Sequence, residues 1–327
     1  MEGMAKQEQL LRSMVRDIVG DENIRAYRIL DITHTFRDTL IIAALLIGAV
    51  SSVIYLHASY GLIAMTAIPL VVVVTSVGFN WINVQVHEAS HCFLLPNKTW
   101  NDVYCNTVLG AWALQDVETY RATHGMHHAY LHSERDPDRW VYTERVGSPR
   151  QMLRGIADDL FMVTALRRVR QVGKVVRANA SPAPRYILFA KLSAQMFVLG
   201  VFLWGCGAWG FIYYLLCYVY GLLAVFTVLV RIRTVVQHCD GGLAKKTGIA
   251  RFVSRTTMAP LLEFILVGAR MDYHFEHHLF PNLPYYNLGL MHQKLNEAGI
   301  FKQMLSEGGV SLRTRNYLQT YVDLATA

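Results

Sequence analysis

The residues of this sequence best suited to chemistry are histidines spaced to share one face of a helix. His274, His277 and His278 stand at i, i+3 and i+4, and these offsets are neighbours at 3.6 residues per turn. A lone histidine is most often an ordinary packed or surface residue. Three aligned imidazoles differ because they crowd together and repel one another when protonated. Since neutral imidazole is a very common metal ligand, the spacing predicts a metal site.

The same kind of spacing recurs elsewhere in the chain. His87 and His91 are four residues apart, the motif at residues 124–128 repeats the i, i+3, i+4 pattern, and His238 stands alone before the last motif. Imidazole ligands suit Zn, Fe, Cu or Ni, but nine are too many for one tetrahedral zinc. They would suit two metal ions with positions left open for oxygen. The nine candidate ligands are His87, His91, His124, His127, His128, His238, His274, His277 and His278.

Carboxylates close to these motifs are candidates for orienting the histidine rings through hydrogen bonds. The alternative for each of them is a solvated or ion-paired surface group. The candidates are Glu88, Asp116, Glu118, Asp136, Asp138, Asp272 and Glu276.

Two other classes of metal protein compete with a two-metal enzyme. Residues 87–91 also satisfy the H-E-x-x-H pattern of zinc proteases, in which Glu88 would be the general base. That interpretation leaves seven histidines unexplained. A membrane protein that handles metal or haem without catalysis would place its ligands along the spans. The only histidine within residues 40–86 is His57, which does not fit that class.

The elements that must position the histidines are predicted to cross a membrane. The chain is 53% hydrophobic, and residues 40–86 contain no Asp, Glu, Lys or Arg. One crossing needs about 20 apolar residues, so this run is long enough for two. Lys191 lies near the start of a later apolar stretch, and we expect its ammonium to extend to the nearby interface. The predicted spans are residues 39–56, 62–85, 186–205 and 209–230.

Charge predicts the orientation of these spans. All but Lys191 of the 31 Lys and Arg residues lie before the first hairpin, between the two hairpins, or after the second. The positive-inside rule therefore places both termini and the middle segment in the cytoplasm. The net charge of +7 fits contact with anionic lipid headgroups better than contact with nucleic acid. The five cysteines show no paired spacing and are expected to be reduced thiols.

The predicted fold is therefore all-α and integral to the membrane, with four transmembrane helices in two hairpins. A cytoplasmic helical cap would carry the histidine motifs. We expect an N-terminal segment (residues 1–38), a membrane domain (39–290) and a C-terminal tail (291–327). Apolar residues 10–19 of the N-terminal segment, which lie among charges, fit either a helix on the membrane surface or a plain packing helix.

The three motifs together resemble the histidine boxes of the membrane fatty acid desaturase family, which includes hydroxylases. His-Glu-Ala-Ser-His, His-Gly-Met-His-His and His-Phe-Glu-His-His occur in the family's order, separated by the second hairpin. The Leu-Phe-Pro-Asn-Leu-Pro run at residues 279–284 and Asp-Pro-Asp at 136–138 also match. His238 resembles the family's isolated ligand. One departure is Thr234, where animal acyl-CoA desaturases have asparagine. The similarity covers about residues 40–290.

This resemblance implies an O₂-dependent enzyme with two iron ions bound by the nine histidines. The expected reaction is desaturation of an alkyl or acyl chain of a lipid-like substrate, with hydroxylation on the same scaffold as the alternative. The chain lacks a dinucleotide-binding Gly-rich turn and a CxxC pair. We therefore expect electrons from a separate ferredoxin-, rubredoxin- or cytochrome b5-type partner. The active site is expected on the cytoplasmic side of a bacterial inner membrane or the endoplasmic reticulum.

Overall fold

The computed structural model describes residues 13, 15–179, 184–239, 254–301 and 313–326, and over these residues the protein is mostly helical. The chain divides into two compact units. The span unit comprises residues 31–125 and 154–231, and the terminal unit comprises residues 1–30, 126–153 and 232–327.

Fifteen α-helices of three residues or more lie wholly within the described residues. Their bounds in chain order are α1 (Asp21–Tyr27), α2 (Ile32–Tyr60), α3 (Ile68–Ser90), α4 (Lys98–Tyr104), α5 (Val117–Tyr130), α6 (Arg139–Thr143), α7 (Pro149–Leu160), α8 (Val163–Asn179), α9 (Arg185–Cys206), α10 (Trp209–Tyr213), α11 (Phe226–His238), α12 (Leu261–Glu263), α13 (His274–Leu279), α14 (Leu288–Glu297) and α15 (Tyr317–Thr326). Tighter 3₁₀ turns cover Gly61–Ala67, Gly110–Ala113 and Tyr285–Asn287, and wider π turns cover Cys105–Leu109, Tyr214–Val219, Gly221–Val225 and Phe264–Gly268.

Among the residues that the structure describes, three helical stretches are long and apolar enough to cross a membrane. They are Ile32–Ser90 with 59 residues, Arg185–Cys206 with 22 and Trp209–His238 with 30. The first contains two of the sequence-predicted spans, residues 39–56 and 62–85. The 3₁₀ turn at Gly61–Ala67 overlaps the beginning of the second of them. It is far longer than the roughly 20 residues of one crossing.

Glycines let the helices of the span unit approach closely. A Cβ atom on Gly78 of α3 would lie 2.7 Å from Cδ2 of Leu46 on α2, and one on Gly205 of α9 would lie 2.6 Å from Cγ2 of Ile54. These distances are shorter than any side chain tolerates. A larger residue at either position would therefore force the Leu46 or Ile54 side chain to move, so glycine fits the close approach without rearrangement, as in other packed membrane helices.

Lys191 does not extend alone to the interface as we expected. Its Nζ lies 2.6 Å from Oδ2 of Asp116, and both side chains are mostly buried. The ion pair provides a nearby counter-charge within the protein, which replaces the solvation that a snorkelling ammonium would seek. Asp116 precedes α5, so this pair also fixes the start of that helix against α9.

The terminal unit has its own apolar core. Val15 and Val19 are buried in it together with Phe275 of α13 and Met291 of α14. Of the two alternatives for apolar residues 10–19, this burial fits a helix that packs against the protein. Leu10, Leu11 and Met14 of that stretch lie outside the described residues. A short parallel strand pair, β1 (Thr256–Thr257) and β2 (Arg313–Thr314), lies beside this core.

Candidate metal centre

Four histidines of the terminal unit converge on one point. His127 comes from α5, His238 ends α11, and His274 and His278 lie one turn apart on α13. One ring nitrogen of each lies within 4.8 Å of those of the other three. Nε2 of His274 is 2.9 Å from Nε2 of His238 and 3.1 Å from Nε2 of His278. We call this set the four-histidine cluster.

The spacing of these nitrogens fits a shared metal ion. Two imidazole nitrogens that bind one ion at about 2.1 Å lie about 3.0 Å apart at a right angle and about 3.4 Å apart at the tetrahedral angle. The two observed distances, 2.9 and 3.1 Å, match the right angle. Moreover, Nε2 of His274 offers either one proton or one lone pair, and it faces two other Nε2 atoms. A cation that accepts all three lone pairs satisfies them together.

A second convergence lies within the span unit. His87 and His91 stand on one face at the end of α3 and meet His124 of α5, with ring centroids 4.4 Å apart for His87 and His124. Nε2 of His124 is 3.1 Å from Nε2 of His91. The ligand nitrogens of these three residues also lie within 4.8 Å of one another. We call them the three-histidine cluster.

The remaining two predicted ligands meet each other in the terminal unit. Nε2 of His128 lies 3.0 Å from Nε2 of His277, and His277 is buried. His132, one turn beyond His128, belongs to none of these groups among the described residues. Each of the nine predicted ligands is therefore beside at least one other.

Two of the seven candidate carboxylates contact a candidate ligand directly. Oε1 of Glu88 lies 3.0 Å from Nδ1 of His87, and Oδ1 of Asp136 lies 3.0 Å from Nδ1 of His127. A carboxylate at Nδ1 holds the ring proton there. It therefore leaves the lone pair of Nε2 available to a metal ion.

The other five carboxylates have different partners. Asp116 pairs with Lys191, and Glu118 accepts from Nδ2 of Asn106. The main chain of Asp138, rather than its carboxylate, donates to Asp136. Oδ1 of Asp272 is 3.3 Å from the hydroxyl of Tyr317. Asp116 is ion-paired, as the alternative expects, but Asp116 and Asp272 are buried rather than at the surface.

Glu276 supports the third motif from behind. Its carboxylate is fully buried, accepts from Nδ1 of His292 on α14 at 2.5 Å and also bonds to the hydroxyl of Thr256 on β1. These contacts fix the side of α13 opposite to its ligands. The sequence placed Glu276 near the metal, but nothing in it indicated His292 or Thr256 as partners.

Arg121 locks the end of the helix that carries His87 and His91. Its guanidinium donates to the carbonyls of Ser90 at 2.9 Å and Ala89 at 3.0 Å, and it forms two bonds to Asp102 of α4. The last carbonyls of a helix lack partners within it, so Arg121 satisfies them. Arg121 lies three residues before His124, and that spacing on one helical face was the available sequence signal.

The electrostatics favour neutral rings at His91, His274 and His278. Burial, helped by the charge of Arg121, lowers the pKa of His91 to about 4. Burial and neighbouring imidazoles hold the pKa of His278 well below its usual value, and burial does the same for His274. Burial also lowers the pKa of His127, but the hydrogen bond and charge of Asp136 outweigh it and leave that pKa raised. Neutral imidazole is the form that binds metal.

Comparison with known proteins gives a consistent result. A family model described as fatty acid desaturase matches residues 63–303, which is most of the chain and includes all nine histidines. Dihydrorhizobitoxine desaturase of Bradyrhizobium elkanii is 25% identical over 291 residues, which cover 81% of this chain and 81% of that protein.

Proposed function

The chain belongs to the fatty acid desaturase family, and on that premise we propose that it is an O₂-dependent di-iron oxidoreductase. The proposed reaction is desaturation of an alkyl or acyl chain of a lipid-like substrate. The observation that carries the proposal is the four-histidine cluster, whose four ring nitrogens lie within 4.8 Å of one another and are of the ligand type that suits iron. The nine histidines together would hold two iron ions.

Two iron ions would supply the oxidising power needed to remove hydrogen from an unactivated C–H bond. The overall reaction converts –CH2–CH2–, O₂, two electrons and two protons into –CH=CH– and two molecules of water. Hydroxylation takes the same O₂, electrons and protons but gives an alcohol and one water. The two reactions therefore need the same ligands and the same electron supply. The name of the 25% identical relative, a desaturase, favours desaturation.

In this proposal the protein groups around the histidines hold protons and rings in place. Asp136 keeps the proton of His127 on Nδ1, and Glu88 does the same for His87. This role for Glu88 argues against the zinc-protease alternative. There the same carboxylate would have to face a metal-bound water.

We further propose that the chain crosses the membrane four times, in two hairpins that place a helical cap with the histidine motifs in the cytoplasm. Residues 1–38, 39–290 and 291–327 would form the N-terminal segment, the membrane domain and the C-terminal tail. The three long apolar helical stretches support this arrangement, because the first is long enough for two crossings. The membrane would be a bacterial inner membrane or the endoplasmic reticulum.

The electron donor would be a separate protein of ferredoxin, rubredoxin or cytochrome b5 type that docks on the basic cytoplasmic side. The net charge of +7 suits an acidic partner. Sustained turnover by the purified chain with NAD(P)H and O₂ alone would contradict this.

Isotope labelling of the product tests the reaction. Cells that express the chain are grown under ¹⁸O₂, and their lipids and small alkyl metabolites are compared with those of cells expressing His274→Ala. A desaturase gives an added double bond and no ¹⁸O in the product. One ¹⁸O per product molecule would establish the hydroxylase alternative. No difference between the two cultures would contradict both.

A further inference from the structure

Apolar side chains are exposed in a stripe at the beginning of α8 and just before it, and they take no part in the candidate metal centre. Phe161 is 78% exposed, Leu166 61% and Val169 70%, and Val163 is half exposed. We propose that this segment, residues 161–174, is a membrane-surface element that binds anionic lipid headgroups. The proposal does not depend on which oxidation the metal centre performs.

The stripe has the shape of an interfacial helix. At 100° per residue, Val163, Leu166 and Val169 occupy a sector about 120° wide. The exposed Lys174 adjoins the Val163 edge of that sector, and the exposed Arg170 lies just inside the same edge. A helix that lies in the membrane interface places apolar side chains among the acyl chains and basic ones among the phosphates. Val163–Asn179 contains no Asp or Glu, which fits an anionic surface.

The buried side of this segment is fixed at the level of the membrane edge. Arg231 forms two hydrogen bonds to the carboxylate of Asp159, at 2.6 and 3.0 Å, and one to the hydroxyl of Thr164 at 3.2 Å. Both partners are buried. Arg231 is also the first charged residue after the uncharged run of residues 192–230. Because such a run ends where the hydrocarbon core ends, the beginning of α8 is held at that boundary.

The other end of α8 is tethered to a span as well. α8 ends at Asn179 and the apolar helix α9 begins at Arg185, and the intervening chain reaches at most about 22 Å. The exposed apolar residues Leu188, Phe189 and Leu192 continue along α9. The helix that carries the stripe is therefore connected by a short segment to a helix that is apolar enough to cross the membrane. A lipid surface is the partner that satisfies both parts.

Spin labels on single introduced cysteines test the placement in the full-length protein, reconstituted into vesicles of phosphatidylcholine with phosphatidylglycerol. The test position is Leu166→Cys. Phe189→Cys, on a side chain 73% exposed, is the lipid reference. Glu297→Cys, on a side chain 53% exposed, is the water reference. The unmutated protein measures background labelling, since four native cysteines are buried and Cys92 is half-buried.

We expect the label at Leu166 to behave like the one at Phe189, with frequent collisions with O₂ and few with a water-soluble nickel complex. Frequent collisions of the Leu166 label with the nickel complex, as at the water reference Glu297, would overturn the proposal. Shielding from both reagents would also overturn it, because it would mean that a protein surface or a second copy of the chain covers the stripe.

The lipid charge is tested with the basic residues beside the stripe. We expect immersion of the Leu166 label to increase as phosphatidylglycerol replaces phosphatidylcholine. Combined Arg170→Gln and Lys174→Gln should abolish that increase and leave the Phe189 label unchanged, which shows that the spans still insert. An increase that survives the two substitutions, or no increase in the parent, would contradict anionic headgroup binding.

Discussion

The carboxylate of Asp136 lies 3.0 Å from Nδ1 of His127 and so determines which nitrogen of that ring is available to a metal ion. The other oxygen of Asp136 accepts from the hydroxyl of Tyr142. That hydroxyl in turn accepts from the backbone N–H of His132 at 3.1 Å. The ring of Tyr142 also packs against His238, with centroids 5.3 Å apart. One small network thus orients two members of the four-histidine cluster.

Asp136→Asn should weaken iron binding without removing a ligand. The amide has no negative charge to hold the proton on Nδ1 of His127, and losses of such supporting contacts typically cost about 10–100-fold in metal affinity. Competition with a chelator measures the change. The exposed Asp323→Asn is the matched control, because it removes the same charge from α15. Equal iron affinity in the two variants would contradict a role for Asp136 in orienting His127.

Glu88→Gln should keep measurable oxidation and most of its iron. Oε1 of Glu88 contacts Nδ1 of His87, so the substitution weakens the orientation of one ligand, at a cost of about 10–100-fold. In a zinc protease the same change would remove the general base and abolish activity with metal still bound. Metal content and product formation are measured on the same preparation. Complete inactivity with full metal would favour the protease interpretation.

Arg121 and Lys98 both pair with Asp102 but should differ greatly in their effect on stability. Arg121→Gln removes bonds to two helix-end carbonyls as well as to Asp102. We expect it to lower the free energy of unfolding by about 3 kcal/mol and to reduce iron content. The side chain of Lys98 is 65% exposed. Lys98→Gln should therefore lower the free energy of unfolding by only about 0–1 kcal/mol. Thermal unfolding in detergent compares the two, and equal losses would contradict the proposed lock.

The histidine pattern carried most of the predictable information about the site. The i, i+3, i+4 spacing places His274 and His278 on one face of a helix whatever the surrounding fold, because it follows from helix geometry alone. His238, in contrast, has no such signature. It is a candidate because of its place before the last motif, and the resemblance supports it. The mostly helical fold and the long apolar helices also follow from composition and the absence of charge.

The partners of the charged residues could not be predicted. Lys191 reads in sequence as a lysine near a membrane interface, yet it pairs with Asp116, 75 positions earlier. Tyr142 belongs to no sequence motif. It reaches Asp136 only because α6 folds back beside the histidine motif at residues 124–128. Such contacts depend on how helices pack, and an apolar stripe specifies that a helix packs without specifying which polar residue it meets.

The proposed topology predicts opposite labelling of two exposed positions. Cys206 lies in the proposed outer turn but is buried, so the adjacent exposed Ala208→Cys replaces it as the probe. An impermeant maleimide should label Ala208→Cys in intact cells. It should label the exposed Glu134→Cys, near the histidine motif at residues 124–128, only after the cells are permeabilised. The reverse pattern would overturn the charge-based orientation.

The metal content of the purified chain tests the central claim most directly. We predict about two iron atoms and little zinc per chain in the unmodified protein. His278→Ala should lose iron and activity, because removing one imidazole opens the four-histidine cluster. His132→Ala is the matched control, since it removes a nearby ring that belongs to neither the four- nor the three-histidine cluster, and it should keep its iron. One zinc per chain in the unmodified protein, or full iron and activity in His278→Ala, would contradict the di-iron account.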